Sequence, residues 1–348
     1  MHVVFITSPL ELEHVMRMRA VAPTRVEIAF EPDLLPPIRY RGDHIGSPDF
    51  ALTAAQLVRW RSNIARATIL WDFPAGDTKD GGGLSLARNV RWVQTTSSGV
   101  GQKVARLGLA ETDLIVTTAR GVHADALAEF VFLVLLAQTK DLARLQRDQQ
   151  ARRWQRYCGG ELAGKTIAII GAGLVGARVG AIARAFDMRN LAVVNRPVPE
   201  RKAELFADEV FGPQALHAAL SQADYVVLAT PHTPDTERML DARAMAAMKP
   251  GVVLINIARG QVLDEQALIA ALRSGQIGAA ALDVAEIEPL PASSPLWDMP
   301  NVLISPHSAS TAPSENAKIT QIFCHNLACF IDGRLGEMRN VLDKRRMY

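Results

Sequence analysis

Short apolar segments rich in β-branched residues alternate along this chain with longer segments whose apolar residues recur at helical spacing. Apolar runs of this kind are typical of strands that are buried on both faces, as in parallel sheets. The predicted strands are residues 2–7, 25–30, 67–71, 90–95, 114–118, 166–170, 191–194, 225–229, 252–257, 279–284 and 302–304. The alternation predicts an α/β protein with two open parallel-sheet domains of the Rossmann-like or flavodoxin-like type.

The segments between these strands predict helices and one long loop. Helices are expected at residues 10–20, 52–66 and 84–89, and a Pro-rich loop at residues 31–48. The segment 123–140 is apolar on most of its circumference, so we expect a buried helix there. The polar segment 141–154 continues that helix and is a candidate dimer contact. His123, at the start of the helix, is interpreted as a capping or surface residue.

A glycine motif follows the predicted strand 166–170 and opens a helical pattern. Gly171, Gly173 and Gly176 have the G-x-G-x-x-G spacing of dinucleotide-binding turns. In such a turn the first glycine allows the tight bend, the second lets the backbone approach a pyrophosphate, and the third lets the helix pack on the sheet. Leu174 and Val175 begin the helix, whose free N–H groups favour phosphates. A glycine-rich turn without a ligand is the alternative.

The residues after the next predicted strand bear on which dinucleotide binds. NAD(H) sites commonly place an Asp or Glu there, which accepts hydrogen bonds from the ribose hydroxyls. Here the strand ends in Asn195 and Arg196, with Arg201 and Lys202 shortly after. A guanidinium can bind a 2′-phosphate that a carboxylate would repel. The sequence therefore favours NADP(H), while NAD(H) stays possible if Arg196 is only a solvated surface residue.

Composition and charge limit the remaining classes of function. The 348 residues have a formal net charge of +2, which argues against a dedicated nucleic-acid or membrane surface. Residues 1–10 lack the features of a signal peptide, and the apolar run 130–137 is too short to span a bilayer. The three cysteines, Cys158, Cys324 and Cys329, suggest neither paired disulfides nor a metal site. We expect a cytoplasmic protein with no metal, no nucleic-acid partner and no membrane segment.

Three polar residues come just after predicted parallel strands, on the edge where a dinucleotide would lie. These residues are Arg259, Glu288 and His307. Together they could reduce a carbonyl group beside a nicotinamide: the histidine supplies a proton, the carboxylate orients the imidazole, and the arginine binds a carboxylate and polarises the reacting oxygen. Polar residues at strand ends are common, so the set could also be incidental.

A loop of small residues follows the predicted strand 90–95. Ser98, Gly99 and Val100 in this loop can turn backbone N–H groups toward an anion, and ligands of open α/β sheets bind at the carboxyl ends of strands. We interpret these residues as a candidate site for the substrate carboxylate. A simple flexible turn is the alternative interpretation.

Four ordered motifs carry a resemblance to a known family. The motifs are residues 171–176 (GAGLVG), 248–260 (MKPGVVLINIARG), 281–289 (ALDVAEIEP) and 301–307 (NVLISPH). They resemble the motifs of the D-isomer-specific 2-hydroxyacid dehydrogenases, and the resemblance runs from about Val90 to Cys324. It implies a substrate domain made of residues 1–119 and 315–348, an inserted NAD(P)-binding Rossmann domain at residues 120–314, and a homodimer.

The resemblance also assigns roles to single residues. It implies that Arg259, Glu288 and His307 are catalytic, with His307 as proton donor, and that Asp283 contacts the nicotinamide side of the cofactor. Residues implied to line the cofactor are Thr230, Pro231, Ile257 and Ala258. The frequent acidic residue after the second Rossmann strand is missing, in agreement with a preference for NADP(H).

The expected activity is reduction of a small 2-oxo acid, such as glyoxylate or hydroxypyruvate, to the D-2-hydroxy acid. Two alternatives stay open: a dinucleotide-sensing corepressor-like binding protein on the same fold, and an enzyme resembling phosphoglycerate dehydrogenase.

Overall fold

The computed structural model describes residues 1–74, 83–198 and 200–347. The chain divides into two compact units, of which the first combines residues 1–123 with 311–348 and the second is residues 124–310. The second unit is therefore an insertion in the chain of the first. The prediction placed the divisions after residues 119 and 314, and the observed divisions follow His123 and Ser310.

Strands and helices alternate through both units. The strands are β1 (His2–Ile6), β2 (Val26–Ala29), β3 (Ile69–Trp71), β4 (Trp92–Gln94), β5 (Ile115–Thr117), β6 (Thr166–Ile170), β7 (Arg189–Val193), β8 (Glu209–Phe211), β9 (Tyr225–Leu228), β10 (Val252–Asn256), β11 (Ile277–Leu282) and β12 (Val302–Ile304). The α-helices are α1 (Leu12–Arg19), α2 (Ala54–Arg66), α3 (Gly101–Arg106), α4 (Ala124–Thr139), α5 (Leu142–Gln150), α6 (Leu174–Ala185), α7 (Arg201–Leu205), α8 (Leu216–Leu220), α9 (Ala242–Ala246), α10 (Glu265–Ser274) and α11 (Glu315–Ile331).

The first unit is built on a five-stranded parallel sheet with the order β2-β1-β3-β4-β5. This is the flavodoxin-like strand order. Its core receives Phe323 from α11, a helix of the C-terminal segment, and the ring of Phe323 stacks on Trp92 with centroids 4.9 Å apart. Trp92 also donates its ring N–H to Thr117 Oγ1 at 2.8 Å, which satisfies its one polar atom inside the core.

The second unit is built on a seven-stranded parallel sheet with the order β12-β11-β10-β9-β6-β7-β8. Alternate residues of β6 face different cores. Ala168 and Ile170 pack with α8, α9 and α10, while Ile167 and Ile169 pack with α4 and α6. The strand order reverses between β6 and β9, and ligands of doubly wound sheets bind beyond the carboxyl ends of the strands at such a switch point.

The long apolar helix differs from its prediction in two ways. It ends with α4 at Thr139 and does not continue into the polar segment, because Asp141 adopts a left-handed conformation (φ 49°) and starts α5 separately. The Asp141 side chain accepts a hydrogen bond from the backbone N–H of Arg144 at 3.2 Å, as an N-cap residue does. The expectation of burial around most of the circumference is wrong at Leu133, which is 55% exposed.

Two other predicted helices have different outcomes in the structure. α2 starts at Ala54 because Thr53 and Gln56 form a reciprocal capping box. The helix predicted at residues 84–89 is instead a single 3-10 turn, Leu84–Leu86. In the described part of the chain, no helix has the length and apolar character needed to cross a bilayer.

Candidate active site

The glycine motif forms a tight turn between β6 and α6. Gly171 has a φ of 87°. A Cβ on Gly171 would lie 2.4 Å from the Cα of Thr230, the second residue after β9. Neither that conformation nor that contact is compatible with a side chain. Gly176 lies on the packed side of α6, where a Cβ would come within 2.9 Å of Ile169 Cγ2. These two glycines are required by the fold itself.

Gly173 differs from the other two because its α-hydrogens face open space. The nearest atom to a Cβ added at this position would be the Gly171 carbonyl oxygen, 4.0 Å away. Gly173 is also the N-cap residue of α6 and has no side chain to cap the free N–H groups, and the following Leu174 is 51% exposed. An open cradle at the start of a twelve-residue helix, at the switch point of the sheet, fits a dinucleotide pyrophosphate.

No carboxylate comes directly after β7, and the first acidic residues are Glu200 and Glu204, of which Glu204 Oε2 lies 3.8 Å from Arg201 Nε. Asn195 and Arg196 are exposed after the strand ends. Arg201 is half-buried, and its Nη2 donates to the carbonyl oxygen of Ala172 inside the glycine turn at 3.3 Å. A guanidinium therefore lies directly against the glycine turn, and Arg201 is an additional candidate cofactor residue beside Arg196.

His307 and Glu288 form a hydrogen-bonded pair past the ends of β12 and β11. His307 Nδ1 lies 2.8 Å from Glu288 Oε2, and Glu288 Oε1 accepts the backbone N–H of Ala285 at 3.1 Å. Burial raises the pKa of Glu288, but the hydrogen bonds and charges of His307, Ala285 and Arg259 outweigh it, so the net pKa is lowered. Glu288 is therefore ionised at neutral pH and holds Nδ1 of the imidazole, which leaves Nε2 for a substrate.

Asp283 fixes the segment that presents His307. Its carboxylate is buried, and its Oδ1 accepts hydrogen bonds from Ser305 Oγ (2.6 Å) and from the backbone N–H groups of Ser308 and Ala309 (both 2.9 Å). The Asp283 carbonyl oxygen accepts the N–H of His307 at 2.8 Å. These bonds hold His307 at a φ of 55°, a conformation that non-glycine residues rarely adopt and that clusters at functional sites.

Arg259 follows β10 on the same edge of the sheet. Burial lowers the pKa of its guanidinium, and the carboxylates of Glu288 and Asp283 raise it in part, so the net pKa is lowered while the group stays charged. Its Nη1 donates to the carbonyl oxygen of Ala258 at 2.6 Å. A half-buried guanidinium that makes this one hydrogen bond to the described residues is suited to bind an anion.

The predicted cofactor-lining residues also end strands at this edge. Thr230 follows β9, and Ile257 and Ala258 follow β10. Each of these three residues is less than a tenth exposed, so they are buried at the carboxyl ends of their strands. Pro231 is exposed, and its carbonyl oxygen accepts a hydrogen bond from Thr236 Oγ1 at 2.7 Å. The structure brings the residues of the second unit together as a set, and their individual roles stay predictions.

The predicted carboxylate loop lies in the first unit, after β4. Ser98 and Gly99 are exposed, while the Val100 side chain is buried. Ser97 anchors the loop, because its carbonyl oxygen accepts hydrogen bonds from the Thr95 hydroxyl (2.7 Å) and from the backbone N–H of Ala119 (3.2 Å). Within the described ranges, the backbone N–H groups of Ser98 and Val100 have no hydrogen-bond acceptor.

The sequence interpretation of His123 as a surface residue is wrong, while its position directly before α4 is the one predicted. Its side chain is 11% exposed, and its ring lies between Ser98 Oγ (3.2 Å from Nδ1) and Glu315 Oε1 (3.0 Å from Nε2). His44 Nε2 lies 3.2 Å from the same oxygen. No sequence signal links residues so far apart along the chain. Across residues 1–74, 83–198 and 200–347, no group of three His, Cys, Asp or Glu side chains is arranged to hold a metal ion.

Comparison with known proteins gives the family. Residues 132–309, just over half of the chain, match the model for the NAD-binding domain of D-isomer specific 2-hydroxyacid dehydrogenases. The chain is 36% identical to a glyoxylate reductase of Thermococcus gammatolerans, with 64% of this chain and 68% of that protein covered. It is 32% identical to a D-3-phosphoglycerate dehydrogenase of Mycobacterium leprae, with 76% of this chain and 51% of that protein covered, so it spans about half of that relative.

A solved structure agrees over the whole chain. The D-isomer specific 2-hydroxyacid dehydrogenase from Xanthobacter autotrophicus, solved in complex with NADPH and MES, superimposes with a TM-score of 0.74 at 28% identity, covering 100% of this chain and 99% of that one. The predicted fold class and family are confirmed. The chain belongs to the D-isomer specific 2-hydroxyacid dehydrogenases, a family of NAD(P)-dependent oxidoreductases.

Proposed function

We propose that this protein reduces a small 2-oxo acid to the D-2-hydroxy acid with NADP(H), with glyoxylate or hydroxypyruvate as the substrate. The observation that carries the proposal is the hydrogen bond between His307 Nδ1 and Glu288 Oε2, which are 2.8 Å apart. The charge of the half-buried Arg259 also lowers the pKa of the Glu288 carboxylate. An acid, its orienting carboxylate and an anion-binding arginine are the groups that carbonyl reduction requires from a protein.

The three side chains have different roles in this reaction. The dinucleotide, held at Gly171–Gly176, supplies the hydride. His307 gives the proton on Nε2 to the carbonyl oxygen as that oxygen gains charge. Glu288 keeps Nδ1 protonated and the ring in one orientation, and its negative charge stabilises the cationic imidazole. Arg259 binds the carboxylate of the substrate and polarises the carbonyl group.

The preference for NADP(H) is proposed from the charge beyond β7. Arg196 is exposed where an acidic residue would select NAD(H), and Arg201 contacts the glycine turn. Both guanidinium groups can approach a 2′-phosphate on the adenosine ribose. The NADPH found in the relative from Xanthobacter autotrophicus is consistent with this preference.

The units and the quaternary structure complete the proposal. The second unit binds the dinucleotide, and the loop containing Ser98, Gly99 and Val100 in the first unit binds the substrate carboxylate. A homodimer is proposed from the α5 region, since Trp154 is 99% exposed and Leu142 and Leu145 are 40% and 44% exposed. Large apolar side chains exposed together are typical of an interface. A cytoplasmic location is part of the proposal on the sequence grounds given above.

The test is steady-state oxidation of NADPH and, separately, NADH with a panel of glyoxylate, hydroxypyruvate, pyruvate, 2-oxoisovalerate and phenylpyruvate. We expect turnover with NADPH and one of the first two acids. Turnover with NADH alone would keep the reductase and overturn the argument from Arg196. Tight cofactor binding without turnover of any acid would instead support a dinucleotide-sensing binding protein.

His307→Asn is the informative variant for the proton donor. Asparagine tolerates the left-handed conformation that His307 adopts, so the variant removes the acid without adding backbone strain. We expect turnover to fall by roughly 10²–10⁴-fold. His217→Asn is the matched control, because His217 is exposed on α8, and it should keep wild-type kinetics. Wild-type turnover by His307→Asn would remove His307 from the reaction.

A phosphorylated 2-oxo acid is the second candidate substrate. The 32% identity to the Mycobacterium leprae phosphoglycerate dehydrogenase favours it. Adding 3-phosphohydroxypyruvate to the panel separates the two, and a higher kcat/KM for it than for hydroxypyruvate would change the proposed substrate while keeping the chemistry.

A further inference from the structure

Glu315, the first residue of α11, is a buried carboxylate with two histidine partners in the first unit. Its side chain is 7% exposed, and the single oxygen Oε1 lies 3.0 Å from His123 Nε2 and 3.2 Å from His44 Nε2. Burial raises the pKa of Glu315, but the hydrogen bonds and charges of His123 and His44 lower it by more than burial raises it. The net pKa is about 2. The carboxylate is therefore ionised and can only accept hydrogen bonds.

The charge on Glu315 sets the direction of its hydrogen bonds to the two histidines. Because Oε1 only accepts, both histidines carry a hydrogen on Nε2. Nδ1 of His123 lies 3.2 Å from Ser98 Oγ, and when the ring is neutral with its hydrogen on Nε2, Nδ1 accepts a hydrogen bond from the Ser98 hydroxyl. The hydroxyl of an exposed loop residue is thus oriented by a carboxylate that it does not touch.

Part of the cluster's hydrogen-bonding capacity is unused. Two of its buried atoms, Glu315 Oε2 and His44 Nδ1, have no hydrogen-bond partner among the described residues. Buried polar atoms without partners cost stability, and native proteins keep them mainly at sites with another role. An apolar residue at position 315 would remove the unpaired Oε2, but it would leave the Nε2–H groups of His123 and His44 without an acceptor.

We propose that Glu315 is a positioning residue that acts through His123 on Ser98 and holds residues 97–100 in the form that binds the substrate carboxylate. This inference rests on the proposed role of that loop. Hydrogen bonds to the carbonyl oxygen of Ser97 fix one end of the loop, and Gly99 N–H donates to Ser97 Oγ at 3.3 Å. The contact with His123 fixes the Ser98 side chain in the same loop, where the N–H groups of Ser98 and Val100 have no acceptor among the described residues.

The first experiment is a double-mutant cycle on the holoenzyme with Ser98→Ala, Glu315→Gln and the double variant. Loss of one orienting hydrogen bond should raise the KM for the preferred 2-oxo acid by roughly 3–10-fold and leave kcat within about twofold. If Glu315 acts through Ser98, the double variant should be no worse than the poorer single variant. Effects that multiply, or a kcat that falls together with the rise in KM, would overturn the proposal.

Glu111→Gln is the matched control, since Glu111 belongs to the same unit and is exposed with Arg345 as its partner. Its KM should equal that of the wild type. If Glu315→Gln does not fold, Ser98→Ala on the exposed loop still tests the loop, and ring ¹⁵N NMR of wild-type His123 tests the relay. A hydrogen on Nε2 is expected, and a neutral ring with its hydrogen on Nδ1 would refute the relay.

A second measurement separates this inference from the proposed function. Oxamate, an unreactive 2-oxo acid analogue, can be titrated into the protein with NADPH while the amide signals of Gly99 and Val100 are followed by NMR. No turnover by the wild type would refute the proposed function only. Oxamate affinity that is unchanged in both Ser98→Ala and Glu315→Gln would refute the positioning role, whatever the turnover.

Discussion

The open face of Gly173 gives a sharp test of the cofactor site, because Gly173 and Gly176 belong to the same motif for different physical reasons. An added Cβ at Gly173 would meet nothing closer than 4.0 Å, whereas at Gly176 it would lie 2.9 Å from Ile169 Cγ2 and 3.2 Å from Ala172 Cβ. Gly173→Ala should therefore change ligand binding, and Gly176→Ala should change folding stability.

The magnitudes follow from these contacts. Alanine at the N-cap position of α6 should cost only about 0.5 kcal/mol of unfolding free energy. At Gly176 the overlap with a buried, β-branched neighbour costs about 1–3 kcal/mol, of which the better helix propensity of alanine recovers about 1 kcal/mol. For a domain of about 150–250 residues, each kcal/mol lowers Tm by about 2–4 °C.

The assays are thermal melting without dinucleotide and titration with NADPH. Gly173→Ala should melt within about 2 °C of the wild type. Its Kd for NADPH should rise at least about tenfold, about 1.4 kcal/mol, because the Cβ occupies the path of the pyrophosphate. Gly176→Ala should melt lower and keep most of its affinity. If Gly173→Ala bound NADPH as tightly as the wild type, the cradle would not be the phosphate site.

Three further variants test other parts of the molecule. Arg259→Lys keeps the charge but loses the planar fork, so kcat and substrate affinity should both fall about tenfold or more; wild-type kinetics would exclude Arg259 from the site. Asp283→Ala leaves the N–H groups of Ser308 and Ala309 without their acceptor, so the free energy of unfolding should fall by about 3 kcal/mol in denaturant titrations. Glu315 has its pKa lowered from 4.5 to about 2, so its stabilisation of about 3 kcal/mol is present above pH 4.5 and lost as the pH falls toward 2. The stability difference between wild type and Glu315→Gln should shrink between pH 5 and pH 3, and a constant difference would contradict an ionised Glu315.

Much of the fold could be predicted because its strands are buried on both faces. A strand such as β10 is a continuous apolar run that ends at a polar residue, and both its existence and its carboxyl end can be found from the sequence. The same property predicted the edge that carries Arg259, Glu288 and His307. β8 was not predicted, because it is a three-residue edge strand whose residues are all only half-buried.

The features that sequence reasoning missed depend on contacts between distant residues or on single backbone angles. The break between α4 and α5 comes from one left-handed residue, Asp141, within a pattern that is otherwise helical. The partners of His123 lie 25 and 192 residues away along the chain. Only the folded first unit, closed by α11, brings them together.

The assembly of the first unit from two distant segments also affects the order in which the chain can fold. All five strands of its sheet are complete at Thr117, but the helix that covers Trp92 begins at Glu315. At roughly 5–20 residues per second, a ribosome needs about 10–40 s to synthesise the intervening chain of about 200 residues. The second unit can finish folding in that interval. During the same interval the sheet of the first unit lacks Phe323, the α11 residue that packs on Trp71 and Trp92. The first unit can therefore complete its core only after α11 has been synthesised, and until then the apolar residues of its sheet that α11 covers are exposed to aggregation.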